Sequence, residues 1–159
     1  MLTIQIIGIG KIKEPFWKAA ISEYEKRLSK YCKLNILELQ DEKIPDKLNP
    51  SLAEEIKSKE CSHVMQHIPQ NSMVICLDLN GKEYSSEEFS KKIQTWSMTN
   101  SHLTFIIGGS LGLNSEILQK ADQKICFSKL TFPHQLIRVF LLEQIFRCFK
   151  IANGETYHR

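Results

Sequence analysis

The sequence has few features of a secreted or membrane-spanning protein. It holds five cysteines, an odd number, and no two of them form a CxxC pair. We therefore expect reduced thiols inside a cytoplasmic protein rather than a disulfide framework. No basic segment precedes the apolar run at residues 2–9, which is too short for a signal peptide. The apolar run at 139–142 is flanked by Arg138 and Glu143, so we expect no membrane span.

The sequence is also short of net charge, which is +3 over 159 residues. The excess is uneven, because residues 124–159 contain six Lys and Arg against two Asp and Glu. His134 and His158 lie in the same segment. A modest basic bias of this kind allows an anionic partner but does not require one.

No phosphate-binding fingerprint is present. The Gly-Ile-Gly-Lys segment at 8–11 lacks the third glycine of GxGxxG. The glycines at 108, 109 and 112 do not have that spacing, and no GK[ST] follows them. These absences argue against a nucleotide-binding α/β enzyme of the flavodoxin type.

What the sequence does contain is a regular alternation of strand and helix patterns. Short β-rich apolar runs predict five strands, at residues 2–7, 34–39, 73–79, 103–107 and 124–127. Asn80-Gly81 predicts a turn after the third strand. There is no Pro/Gly/Ser linker and no internal repeat. We therefore expect a single α/β domain over residues 1–159, with a mainly parallel sheet and helices on both of its faces.

Helix starts are marked by residues that suit the first turn. Pro15 fits the first turn of the helix that follows the first strand. Ser51 with Glu54, and Ser85 with Glu88, have the spacing of capping boxes. A short helix is expected from about residue 115, and the polar segment 40–50 predicts a surface loop.

The last predicted helix, from residue 134 to about 151, is apolar on nearly all sides. A helix of this kind needs cover on more than one side, and the chain has no further segment to supply it. We therefore expect a partner chain. Arg138 and Glu143 interrupt the apolar surface, where an unpaired charge is costly. An ion pair between subunits and a contact with RNA both remain open as explanations.

Three loops qualify as a ligand site, because ligands of parallel sheets bind beyond the carboxyl ends of the strands. They are residues 77–81, 108–112 and 127–134. The glycines of the second loop allow close approach of a ligand to the backbone, or they form only a tight turn. Asp78 ends a buried strand and either caps the next turn or faces the ligand.

Histidines and the closing residues offer further chemistry. His63 and His67 are four residues apart on a helix, a spacing compatible with metal binding. No third ligand is near them in the sequence, so we expect no metal site. Tyr157-His158-Arg159 combines a stacking ring, a titratable imidazole and a permanent cation. A frayed tail is the alternative.

These patterns, taken together, resemble the ribosomal RNA large-subunit methyltransferase H family of the SPOUT superfamily. The resemblance runs from the first strand to the last residue. It rests on Leu77-Asp78-x-x-Gly81-Lys82, Ser85-Ser86-Glu87-x-Phe89, Phe105-Ile106-Ile107-Gly108-Gly109-Ser110-x-Gly112, FSKLTFPHQ at 127–135, Arg138-Val139-x-Leu141-x-Glu143-Gln144-x-x-Arg147 and Gly154-x-x-Tyr157-His158-Arg159.

The resemblance implies a fold and an activity. It implies a deep trefoil knot near the C-terminus and an obligate homodimer. It also implies S-adenosylmethionine as cofactor and methylation of N3 of a pseudouridine in large-subunit ribosomal RNA. The cofactor site then falls on Leu77, Gly108, Phe127, Ser128, Lys129, Leu130, Thr131 and Phe132.

The resemblance also implies roles on the substrate side. Tyr157, His158 and Arg159 are expected to reach toward the substrate at the cofactor of the partner subunit. His158 is our first candidate for the base, and Arg159 would stabilise the developing anion or hold a phosphate. His134 and Arg138 are expected to bind substrate. Because the net charge is slight, we expect an assembled ribosomal particle as substrate rather than bare RNA. A ribosome-binding module without catalysis is the rival.

Overall fold

The computed structural model describes residues 1–157, so His158 and Arg159 lie outside the described part of the chain. Its five strands form one sheet in the order β2-β1-β4-β3-β5, and every neighbouring pair is parallel. The strands are β1 Thr3–Ile9, β2 Lys33–Leu39, β3 Met73–Lys82, β4 His102–Ile107 and β5 Gln123–Ile125. The helices are α1 Pro15–Leu28, α2 Pro50–His67, α3 Ser86–Thr99, α4 Ser115–Lys120 and α5 His134–Ala152. The predicted α/β class with a parallel sheet is confirmed.

Helices cover both faces of the sheet, as the sequence predicted. Ile4 and Ile6 of β1 belong to a core shared with α1, α3 and α5. Ile7 and Ile9 of the same strand belong to a second core shared with α2 and α4. Buried apolar residues on both faces explain the nearly continuous apolar composition of the strands. The trefoil knot stays a prediction.

Helix α5 lies on the first of these faces and packs between α1 and α3. Leu141 and Ile145 are fully buried there. The side chain of Phe140 is 37% exposed, and its ring contacts that of Phe132 edge-on at 5.4 Å between centroids. Part of the apolar surface of α5 therefore lacks cover within residues 1–157.

The five cysteines are free and buried, in agreement with the expected core-filling role. Burial raises the pKa of Cys32 and Cys148 to about 12. For Cys76, burial and then the charge of Asp78 raise the pKa to about 12. These three thiols are therefore protonated and unreactive at neutral pH. Within residues 1–157, no helix has the length and apolar character needed to cross a membrane.

The turn predicted at Asn80-Gly81 is wrong, because β3 continues to Lys82. The strand passes this point through an irregularity in which Leu77 and Lys82 both pair with Ile125. A Cβ on Gly81 would lie 2.6 Å from the carbonyl carbon of Ile125. The glycine therefore serves close approach of two strands rather than reversal of the chain.

The cap predicted for α2 is also wrong. Asn49, not Ser51, is the N-cap, and its side chain accepts a hydrogen bond from the Leu52 backbone N–H at 2.8 Å. Pro50 takes the first helical position, where its missing N–H has no cost. The capping box of α3 is confirmed, since Ser85 Oγ accepts from the Glu88 N–H and Glu88 Oε2 accepts from the Ser85 N–H.

Replacement of Asn49 by alanine tests this assignment. The Asn49→Ala variant should lose about 1 kcal/mol of unfolding free energy, the usual cost of losing an N-cap. Ser51→Ala should stay within about 0.5 kcal/mol of wild type. Urea unfolding followed by circular dichroism at fixed protein concentration measures both. A larger loss for Ser51→Ala than for Asn49→Ala would contradict the assignment.

Candidate active site

A pocket of about 680 Å³ lies beyond the carboxyl ends of β3, β4 and β5. Its walls come from three segments, 77–80, 107–113 and 125–137. These overlap all three loops that the predicted strand ends indicated, 77–81, 108–112 and 127–134. The expected convergence of the loops at one edge of the sheet is therefore observed.

The glycine loop after β4 forms one wall. It folds back on itself through an isolated bridge between Gly109 and Gly112, with the Gly112 N–H donating to the Gly109 carbonyl at 3.0 Å. Gly112 has φ +80°, which favours glycine. A Cβ on Gly108 would lie 2.9 Å from the Gly112 carbonyl carbon. The segment is thus both a tight turn and a pocket wall.

The end of β3 forms the floor. Leu77 pairs with Ile125 of β5 and lines the pocket. Asp78 lines it as well and is half-buried. Among residues 1–157 its carboxylate accepts no hydrogen bond from the backbone of residues 79–82, so the geometry favours the alternative in which Asp78 faces the pocket.

The segment between β5 and α5 closes the third side. Most of the cofactor residues implied by the resemblance line the pocket: Leu77, Gly108, Phe127, Ser128, Leu130, Thr131 and Phe132. Lys129 is the exception, because it is exposed and is absent from the lining. Ser128 accepts a hydrogen bond from the Leu130 N–H at 3.1 Å, which fixes the shape of the loop.

His134, the first residue of α5, also lines the pocket. Its ring is half-buried and lies beside Arg138, one helical turn further on, with Nη2 of the arginine 3.3 Å from Nδ1. Burial lowers the pKa of His134, and the positive charge of Arg138 lowers it further. The ring is therefore predominantly neutral at pH 7.

Arg138 is placed differently from either explanation that the sequence left open. Its side chain is 2% exposed, so it has no surface from which to reach RNA or a partner subunit. Nη2 donates to the carbonyls of Ile9 and Gly10 at 2.9 and 2.6 Å, and Nη1 pairs with Glu38 at 3.4 Å. The expectation of direct substrate binding by Arg138 is corrected, because its guanidinium is enclosed within its own chain.

Glu143 likewise pairs within the chain. It accepts from Arg147 Nη2 at 2.7 Å, one helical turn away. The Tyr157 hydroxyl donates to the same carboxylate at 3.1 Å. The Tyr157 ring packs edge-on against Phe146 at 5.1 Å and lies 4.7 Å from the Arg147 guanidinium. Burial raises the pKa of the Tyr157 phenol, and the Glu143 charge adds to this.

Tyr157 is absent from the pocket lining of its own chain. The structure therefore does not bring it together with the predicted cofactor residues. His158 and Arg159, predicted with it as catalytic, lie outside the described residues. Across residues 1–157, no three His, Cys, Asp or Glu side chains are grouped so as to hold a metal ion.

Sequence reasoning missed the role of residues 8–10, at the end of β1. Gly8 and Gly10 were considered only as a weak phosphate motif. In the structure a Cβ on Gly8 would lie 2.6 Å from Arg138 Cζ, and one on Gly10 would lie 3.0 Å from His134 Cε1. The two glycines thus make room for side chains of α5. The only signal in the sequence was their presence directly after a strand.

Comparison with known proteins decides the family. A family model described as "Predicted SPOUT methyltransferase" matches residues 2–158. The chain belongs to the SPOUT methyltransferase family. It is 58% identical to the ribosomal RNA large subunit methyltransferase H of Clostridium botulinum (strain Kyoto / Type A2) over 161 residues, covering 99% of this chain and 100% of the relative. The resemblance stated from the motifs is confirmed.

A second relative supports this membership of the SPOUT methyltransferase family, and one solved structure shares the fold. The enzyme of the same name from Clostridium kluyveri (strain NBRC 12016) is 54% identical over 159 residues, with 99% of this chain and 100% of the relative covered. The solved structure of a probable methylase family protein from Haemophilus influenzae Rd KW20 matches with a TM-score of 0.56 at 10% identity. It covers 98% of this chain and 70% of the other, and it shows a shared fold.

The close packing at Gly81 generates a prediction for the pocket floor. Gly81→Ala should lower the unfolding free energy by about 1–3 kcal/mol, because the added methyl group displaces the backbone of β5. Glu83→Ala, at an exposed position nearby, should stay within about 0.5 kcal/mol. Urea unfolding at one protein concentration compares them. Equal stabilities would show that β3 and β5 do not approach closely at Gly81.

Proposed function

We propose that this SPOUT methyltransferase uses S-adenosylmethionine to methylate N3 of a pseudouridine in large-subunit ribosomal RNA, on the assembled ribosomal particle. The single observation that carries the proposal is the pocket at the strand ends, whose walls contain seven of the eight cofactor residues implied by the motifs. The full-length relatives named as ribosomal RNA large subunit methyltransferase H support the RNA substrate. A ribosomal substrate also fits a cytoplasmic protein.

The residues present fit this cofactor. A volume of about 680 Å³ is within the usual range for a small-molecule site. Leu77, Phe127 and Phe132 supply apolar surface for the adenosine part. A side chain at position 108 would collide with the backbone of Gly112. Because Gly108 has none, a ligand can approach the backbone of the loop closely enough to form hydrogen bonds. When bound, the cofactor supplies an electrophilic methyl group on a sulfonium.

The work left to the protein is alignment and proton removal. Holding the N3 nitrogen in line with the methyl group is worth ~7–11 kcal/mol in the best cases. In the reaction, N3 would lose its proton to a base and bond to the methyl carbon, while the bond from that carbon to sulfur breaks and a neutral thioether leaves. We propose His158 as that base, worth typically ~10²–10⁴-fold. Arg159 would stabilise the developing negative charge, and Tyr157 would stack on a base.

Distances along α5 support action of the tail at the partner's pocket. His134 lies at the pocket, whereas Tyr157 packs against Phe146, twelve residues further along the helix. At 1.5 Å per residue this separation is roughly 18 Å. Two further residues add at most about 7 Å even when fully extended. The tail of one chain is therefore unsuited to reach its own pocket.

Uncovered apolar side chains around the pocket support a homodimer. Leu130 is 70% exposed and Phe140 is 37% exposed. Phe140 contacts Phe132, so these residues form one surface next to the pocket. A second copy of the chain would cover this surface and deliver its own Tyr157-His158-Arg159. With a net charge of only +3, bare RNA should bind weakly, and the shape of the ribosome would supply specificity.

Cofactor binding and methyl transfer test the function together. Titration calorimetry with S-adenosylmethionine should give heat with the wild type and at least roughly tenfold weaker binding with Gly108→Ala, since the added methyl group distorts the loop. Methyl transfer should occur on large ribosomal subunits from a strain lacking this enzyme, and mass spectrometry should locate the product at N3 of a pseudouridine. No transfer should occur on a naked transcript.

Other outcomes would separate the alternatives. RNA binding without heat from the cofactor would favour the non-catalytic binding module. Equal transfer to particles and to naked transcript would refute the particle as the working substrate. Circular dichroism of Gly108→Ala checks that loss of binding is not loss of folding.

Subunit mixing tests the action of the tail in trans. A Gly108→Ala chain and a His158→Ala/Arg159→Ala chain should each have little activity alone, provided that the cofactor concentration is kept well below what the Gly108→Ala pocket needs. Mixed in equal amounts under exchange, half of the dimers contain one of each chain and hold one intact site of two. Activity should then return to roughly a quarter of the wild-type value. Continued inactivity after proven exchange would place the tail at the pocket of its own chain.

A further inference from the structure

A cluster beside the pocket has no part in the mechanism above. It consists of Arg138, His134, Glu38 and residues 8–10 at the end of β1. Arg138 is the largest fully buried side chain of the described residues. Burial of a guanidinium costs folding free energy unless the group is paired and hydrogen-bonded. The partners of Arg138 therefore indicate its role.

The contacts of Arg138 Nη2 fix the proton of His134. This nitrogen donates to the Ile9 and Gly10 carbonyls and lies 3.3 Å from His134 Nδ1. Nη2 is cationic and has donors only, so an N–H on Nδ1 would point toward a group of the same polarity. Nδ1 therefore presents its lone pair to Arg138 and carries no proton. The proton of the neutral ring is then on Nε2, the nitrogen that has no hydrogen-bond partner among residues 1–157.

The end of β1, at residues 8–10, provides the space that the two side chains occupy. Arg138 Cζ occupies the place of a Cβ at Gly8, and His134 Cε1 is 3.0 Å from a Cβ position at Gly10, whose φ is +97°. Glu38 Oε2 holds the other side, pairing with Arg138 Nη1 and accepting from the Ile12 N–H at 2.5 Å. The imidazole is therefore fixed in place as well as in tautomer.

We propose that Arg138 is a positioning residue that holds His134 as the neutral Nε2–H tautomer at the pocket wall, where it donates a hydrogen bond to an oxygen of the bound RNA. This inference rests on the proposed function for its ligand. It makes His134 a donor and removes it as a candidate for the base. It also gives Arg138 a role in substrate binding although its own guanidinium is enclosed.

The charges around the ring agree with this assignment. Burial lowers the pKa of His134, and the charge of Arg138 lowers it further, while Asp41, Glu14 and Glu38 act in the opposite direction. The net shift is downward, so the ring stays neutral to a lower pH than an exposed histidine. Without the Arg138 charge, the three carboxylates would act unopposed by it, and the His134 pKa should rise.

Nitrogen-15 NMR of the histidine rings in the full-length, ligand-free protein tests the tautomer directly. His134→Gln identifies the His134 signals. In the wild type, Nε2 should carry the proton and Nδ1 should resonate at the position of an unprotonated ring nitrogen. In Arg138→Met, the Nδ1 signal should shift toward a mixture of tautomers, and the ring should titrate at higher pH. A wild-type ring protonated on Nδ1 would overturn the proposal.

Gly8→Ala provides a second route, because its methyl group displaces Arg138 without changing it. It should produce the same change at His134. Val64→Ala, in the core on the opposite face of the sheet, is the control for destabilisation alone and should leave the His134 signals unchanged. Unchanged signals in both Arg138→Met and Gly8→Ala would also overturn the proposal.

Kinetics separate positioning from a merely structural role. With ribosomal particles as substrate, Arg138→Met and His134→Gln should each lower kcat/KM for RNA by about 3- to 10-fold, the value of one hydrogen bond. Affinity for S-adenosylmethionine should be unchanged. Arg138→Lys should restore part of the loss because it keeps a donor and the charge. A loss confined to cofactor affinity would assign the donated bond to the cofactor carboxylate and overturn the RNA contact.

The test of the tautomer and the test of the proposed function can have different outcomes. The NMR signals report the tautomer in the absence of any ligand or activity. A wild-type protein that shows the Nε2–H tautomer but no methyl transfer would refute the proposed reaction and leave the role of Arg138 intact.

Discussion

Burial of helix α5 is the constraint on which the arrangement of the site depends. The helix places Leu141 and Ile145 against the sheet between α1 and α3. This orientation puts His134 at the carboxyl ends of the strands and Tyr157 at the opposite end of the helix. The apolar packing that stabilises the domain therefore also sets the distance between the pocket and the tail.

A buried charge accompanies this packing. Arg138 lies on the face of α5 that meets β1, where a leucine would be less costly. Two backbone carbonyls and Glu38 compensate its charge, although Nε keeps no partner within residues 1–157. Removing one member of such a buried hydrogen-bonded group costs more stability than replacing all members by apolar residues. Glycines at 8 and 10 are part of the compensation, because side chains there would occupy the space of the arginine and the imidazole.

Local patterns predicted the strands, the helices, the two covered faces and the three loops of the pocket, because each depends on residues close together in sequence. The errors have the opposite origin. The turn predicted at Gly81 fails because the glycine meets Ile125, which belongs to another strand. The role of Arg138 depends on carbonyls 128 and 129 residues away. Spacing along the chain carries no information on such approaches, and the charge pattern alone could not distinguish a surface arginine from an enclosed one. At α2 the error was local: Asn49 and Ser51 could both cap, and Pro50 between them favoured Asn49.

The separation of pocket and tail gives the proposed dimer a physical reason. In a two-fold dimer the same surface of both chains forms the interface, so a tail that reaches one pocket implies a second, equivalent contact. The exposed apolar side chains Leu130 and Phe140 adjoin the pocket, so covering them would also narrow its entrance. Formation of the dimer would then both exclude water from the pocket and bring the base to it. On this proposal neither function needs an additional domain, which agrees with a chain whose described part forms a single sheet and its helices.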